Sequence, residues 1–201
     1  LGYDELAREN PGLIMVRVSG YGQTGPYSQR AGFGSIAEAM GGLRYITGYP
    51  DRPPTRVGIS IGDALAGTLG ALGALAALWH RDRRGGRGQV VDVAIYEAVL
   101  AYMESLIPEY ALTGYVRERT GSVLPGVAPS NIYPTADGQW LVMGANADNV
   151  FRRLCQVMGR PELADDPRFA THGARGQNME TLDAIIAEWT SGQPVDRLVE
   201  V

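Results

Sequence analysis

Apolar positions in this chain come in runs and at helical spacings that divide it into elements. Leu13-Ile14-Met15-Val16-Arg17-Val18 is nearly continuous, the pattern of a parallel strand buried on both faces. A short helix over 3–9 precedes it and ends at Asn10-Pro11-Gly12. Residues 19–34, rich in Gly, Pro, Ser and Gln, read as a long loop, and 35–43 as a helix. A second loop over 48–60 carries Pro50, Pro53 and Pro54. A long Ala/Gly/Leu helix is predicted from Asp63 to about Arg81, with Gly67, Gly70 and Gly73 lining one flank for close packing. Gly85-Gly86-Arg87-Gly88 then turns the chain into a strand over 89–93, and a helix over 94–110 follows. Strand, helix, strand and helix in this order predict an α/β fold.

The texture changes after Arg117. Residues 122–130 read as loop, then 131–135 and 139–144 as strands joined through Asp137-Gly138, a strong hairpin signal. Helices are predicted over 148–158 and 179–191, with another starting at Val195. The expected organisation is a larger α/β domain over 1–118 and a smaller α+β domain over 119–201.

Composition narrows the chemistry. The net charge is −4, which gives no global field to recruit nucleic acid or an anionic membrane. All 18 basic residues are arginine. Without lysine there is no Schiff base, no pyridoxal phosphate anchor and no Walker phosphate loop. One cysteine, Cys155, and two distant histidines, His80 and His172, argue against a disulfide framework and a metal centre. The longest uncharged apolar stretch, Ala64 to Trp79, falls short of the roughly 20 residues of a membrane span. With no basic-then-apolar leader, the expectation is a soluble cytoplasmic protein.

Two places could carry chemistry. Ser19-Gly20-Tyr21-Gly22-Gln23-Thr24-Gly25-Pro26 follows a strand at the end where ligands gather in open α/β sheets. Asp63 is the only charged residue between Arg56 and His80, at the start of the long helix. As an N-cap it would hold the free amides of the first turn. As a nucleophile it would be kept ionised by the helix dipole in a poorly solvated place, and would attack an activated acyl group.

Several stretches in combination resemble the class III CoA-transferase family, which also includes α-methylacyl-CoA racemases. They are Pro11-Gly12-Leu13-Ile14, the loop from Ser19 to Pro26, Ala31-Gly32-Phe33, Arg56-Val57-Gly58, Asp63-Ala64-Leu65-Ala66-Gly67 and Gly86-Arg87-Gly88-Gln89-Val90-Val91-Asp92-Val93. Ala128-Pro129-Ser130-Asn131 and Tyr133-Pro134-Thr135-Ala136-Asp137-Gly138 complete the series. The resemblance implies that Asp63 attacks an acyl-CoA thioester, forming first a mixed anhydride and then an aspartyl-CoA thioester. It places Phe33 and Ile95 against CoA, and Gly126, Val127 and Ala128 in a loop covering the active site. Gly34 replaces an acidic residue of the family pattern, and Gly126 is the one glycine left of that loop.

The same resemblance implies a Rossmann-like large domain, a small domain and two interlinked subunits, with this chain an internal fragment of one. Acyl-CoA and a small carboxylic acid are then the partners, with no permanently bound cofactor and no metal. A racemase needs an acid–base pair at the acyl α-carbon, and Phe33 stands where its histidine would be. A non-catalytic module of the same fold is the third reading.

Overall fold

The computed structural model describes residues 2–200. The chain divides into two compact units, 1–119 and 120–201. The first unit holds α1 (Tyr3–Glu9), β1 (Met15–Ser19), α2 (Gly34–Met40), α3 (Leu43–Ile46), α4 (Ile61–Arg83), β2 (Val90–Ala94), α5 (Ile95–Ala101) and α6 (Leu106–Thr113). β1 pairs with β2 in parallel, from Met15 opposite Val90 to Ser19 opposite Ala94, so the helices between them form the crossover of an α/β fold.

α4 lies directly on this strand pair. A β-carbon on Gly70 would come within 3.1 Å of Val16 Cγ1, and one on Gly73 within 2.6 Å of Val91 Cγ1, so both glycines let the helix sit close to the sheet. Gly67 faces open space and has no part in that contact. The helix is long and apolar enough to cross a membrane by length and composition, yet its inner face is seated on β1 and β2. Burial is one-sided: Ala66, Gly70 and Ala77 are buried, whereas Leu72, Leu75 and Trp79 are more than half exposed. β1 likewise is not buried on both faces as its apolar run predicts, because Val16 and Val18 keep substantial exposure.

Two predicted helices are broken. Gly41-Gly42 separates α2 from α3, with Gly42 in the left-handed region at φ 93°. The helix expected over 94–110 is interrupted at Glu104, φ 51°, and restarts as α6 with Pro108 in its first turn. A proline is tolerated there because its missing N–H would have no helical partner anyway.

The second unit pairs β3 (Ser130–Pro134) with β4 (Trp140–Gly144) as an antiparallel hairpin, Pro134 opposite Trp140. In the connecting turn Gly138 alone takes a positive φ, 74°. α7 (Asp148–Val157), a 3₁₀ turn (Pro161–Ala164), α8 (His172–Gln177), α9 (Met179–Ser191) and α10 (Val195–Val199) follow. Tyr133, Phe151, Cys155, Phe169, Leu182 and Ile186 build its core. Burial pushes the Cys155 thiol up, away from the thiolate a nucleophile needs.

Candidate active site

The loop after β1 folds back on itself. A β-carbon on Gly20 would lie 2.6 Å from Gly32 Cα, and one on Gly32 would lie 2.8 Å from Gly20 Cα, so the two arms cross backbone to backbone. That crossing delivers Phe33 and Gly34 to the beginning of α2. Phe33 is the N-cap residue and is 74 % exposed.

Asp63 does not cap α4. The helix starts two residues earlier, at Ile61 with Ser60 as N-cap, and Asp63 is its third residue. Ser60-Ile61-Gly62-Asp63 has the spacing of a capping box, a sequence signal for this start, but the box is not formed. Among the described residues the Asp63 carboxylate makes no hydrogen bond or ion pair. It lies against Gly34, where no side chain intervenes. Its position in the first turn of a 23-residue helix sets the carboxylate at the positive end of the helix dipole. The poorly solvated setting expected of it is not found, since Asp63 is exposed within this unit.

The structure thus brings Asp63 against Gly34, with Phe33 the next residue along the chain. Ile95 opens α5 at the carboxyl end of β2 and is buried, 8 % exposed, in the core cluster with Ala37, Ala66, Val93 and Ala98. Arg56 lies at the entrance to α4, a position that sequence reasoning gave no role: its Nη2 donates to Ser60 Oγ at 3.1 Å. The charged residue within the Arg56-Val57-Gly58 stretch was its only signal.

A cleft of about 360 Å³ opens beyond the carboxyl ends of β1 and β2, as the sheet rule predicts. Tyr21, Tyr27, Tyr96 and Asp92 line it, while Asp63, Phe33 and Ile95 do not. The Asp92 carboxylate accepts from the Gln23 N–H at 2.8 Å and so braces the loop.

In the second unit, Gly126 is exposed with φ 75°, Val127 is half-buried and Ala128 fully buried. Buried Arg175 donates from Nε to the Ala128 carbonyl at 3.1 Å, and the Gly126 carbonyl rests on Gly176. The loop is therefore held at both places, at Ala128 by a hydrogen bond and at Gly126 by backbone packing against Gly176.

The family model of CoA-transferase family III matches residues 1–201. The chain belongs to this family. It is 69 % identical over 198 residues to a succinyl-CoA–D-citramalate CoA-transferase of Chloroflexus aurantiacus, covering 98 % of this chain and 49 % of that one. An acetyl-CoA:oxalate CoA-transferase of Acetobacter aceti is 37 % identical over 200 residues, 99 % of this chain and 51 % of the relative. The crystal structure of a CAIB/BAIF family protein from Brucella suis superposes with a TM-score of 0.82 at 34 % identity, over all of this chain and 52 % of that one. The chain spans about half the length of the curated relatives it matches. Its fold is the mixed α/β fold of that family, present in part.

Proposed function

We propose that the complete polypeptide carrying this chain is an acyl-CoA:carboxylate CoA-transferase in which Asp63 is the nucleophile. The observation that carries this reading is the free Asp63 carboxylate in the first turn of α4, exposed and, among the described residues, unpaired, lying against Gly34. An Asp63 oxygen attacks the thioester carbonyl carbon, the C–S bond breaks, and CoA leaves as the thiolate. The product is an aspartyl-acyl anhydride. The thiolate then attacks the Asp63 carbonyl carbon, the donor acid leaves as a carboxylate, and Asp63 holds CoA as a thioester. The acceptor carboxylate attacks this thioester and the steps run in reverse, giving the new acyl-CoA and free Asp63. Each step exchanges one anion for another, so no proton needs to be moved.

The 69 % relative supports succinyl-CoA as donor and a D-citramalate-like acid as acceptor. Phe33 offers CoA an exposed apolar surface, and Arg56 a cation held on Ser60 at the entrance to α4. Ile95, buried at the start of α5, is the CoA-site residue of this reading within the first unit, and Gly126, Val127 and Ala128 are its active-site loop within the second. In this reading the protein is a cytoplasmic homodimer with no permanently bound cofactor and no nucleic acid or membrane partner. The racemase reading lacks its obvious second proton carrier at position 33. Phe33 carries no proton, and His80, 17 residues along the same helix, is roughly 25 Å from Asp63.

The test is the complete enzyme incubated with succinyl-CoA, quenched with hydroxylamine and examined by mass spectrometry for a hydroxamate at Asp63. Asp63→Asn should abolish both adduct and transfer while melting like the wild type. Transfer near the wild-type rate in Asp63→Asn would remove the nucleophile. Fast α-deuterium uptake from deuterium oxide into a 2-methylacyl-CoA, lost in the same variant, would instead establish the racemase.

A further inference from the structure

Gly34 begins α2 and Asp63 ends the first turn of α4, and nothing separates them. A β-carbon on Gly34 would lie 2.9 Å from Asp63 Cγ and closer still to Oδ2, a distance that real β-carbons do not adopt. The neighbouring contact is tight as well: a β-carbon on Gly62 would come within 3.4 Å of the Gly34 carbonyl and 3.3 Å of Val99 Cγ2. Val99 and the adjoining Glu38 are both buried, so α2 has little freedom to draw back from α4. The group free to yield is the Asp63 carboxylate, the outer end of an exposed side chain.

We propose that Gly34 is a positioning residue for Asp63, its lack of a side chain fixing where the carboxylate lies. This rests on the reading of Asp63 as nucleophile. A methyl group at position 34 would fill the volume now held by the carboxylate and drive Asp63 into another staggered rotamer. The fold tolerates that change, because only an exposed side chain moves. The reaction does not, since displacing a reacting group by about 1 Å can cost on the order of 100-fold in rate.

The experiment is Gly34→Ala in the complete enzyme, assayed with succinyl-CoA, melted, and trapped with hydroxylamine. The expected result is a kcat lower by roughly 100-fold, a KM for succinyl-CoA within about threefold, a wild-type melt, and slower appearance of the Asp63 hydroxamate. The split between kcat and KM is what a purely structural glycine would not produce. A kcat within about twofold of wild type overturns the proposal. Loss of the cooperative melt overturns it too, because it would show the helix crossing, and not the carboxylate, giving way. If Asp63→Ala keeps transfer, the nucleophile reading itself has failed; if Asp63→Ala is dead and Gly34→Ala is normal, only the role of Gly34 has failed.

Discussion

Arg175 ties four segments of the second unit together from within its core, and Arg175→Met measures what that is worth. Its side chain is fully buried, with the guanidinium carbon 4.7 Å from the centre of the Phe151 ring. Nε donates to Ala128 O at 3.1 Å, Nη1 to Phe169 O at 3.0 Å, and Nη2 to Asn146 O at 2.7 Å and Asp148 Oδ1 at 2.6 Å. Methionine retains the stem and much of the volume but supplies no donor. Two of the abandoned carbonyls belong to fully buried residues, Ala128 and Phe169. An orphaned buried acceptor costs about 1–3 kcal/mol, which for two gives roughly 2–6. Asp148 is 63 % exposed and is resolvated easily, so its lost partner adds little. A central value of about 4 kcal/mol agrees with the 3–5 kcal/mol typical of breaking a buried charged network. For a unit of this size each kcal/mol moves Tm by about 4–8 °C, so a fall of about 16 °C or more is expected by calorimetry. Hydrogen exchange should quicken first at 126–129 and 172–177. A melt within about 4 °C of wild type would show that these carbonyls do not rely on the guanidinium, and the reasoning would be wrong.

Within α4, Gly73→Ala should destabilise by about 1–3 kcal/mol by pushing the helix against Val91, whereas Gly67→Ala, which meets open space, should stabilise by about 0.5–1 kcal/mol through helix propensity. Paired thermal melts check both, and equal effects would contradict the observed seating of the helix. The hydrogen bond from Arg175 holds the Asp148 carboxyl below the usual carboxylate range, so its contribution to stability is complete above about pH 4 and disappears as the pH falls through the lower folded value. Melting curves from pH 2 to 5 should show a shallower acid slope in Asp148→Asn than in the wild type, and parallel slopes would refute the linkage.

The elements that the sequence made legible were those whose signal is local. The apolar runs of β1 and β2 and the Asp137-Gly138 turn found their strands because strand and hairpin patterns span only a few residues. The breaks at Gly41-Gly42 and before Pro108 were local as well, but the surrounding apolar residues hid them. α8 was not legible at all. Its six residues, His172-Gly173-Ala174-Arg175-Gly176-Gln177, include two glycines and would not be helical alone. They are helical because Thr171 Oγ1 accepts from the Ala174 N–H and because Arg175 reaches three carbonyls brought in from elsewhere in the unit.

The candidate site divides along the same line. Asp63 stood out as an isolated charge in an apolar stretch, which one sequence suffices to show. Gly34 showed only an absent side chain, and an absence has no meaning until its neighbour is known. That neighbour is 29 positions along the chain, since 63 − 34 = 29. It is brought close because the Gly20–Gly32 crossing folds the loop back while Gly70 and Gly73 seat α4 on the sheet. Four glycines with no chemistry of their own therefore decide where a carboxylate meets a backbone. Substitutions at Gly20 or Gly32 should accordingly damage the site through the fold, with loss of melt and activity together, whereas Gly34→Ala should damage activity alone. The contrast between those two outcomes separates what builds the site from what aims it.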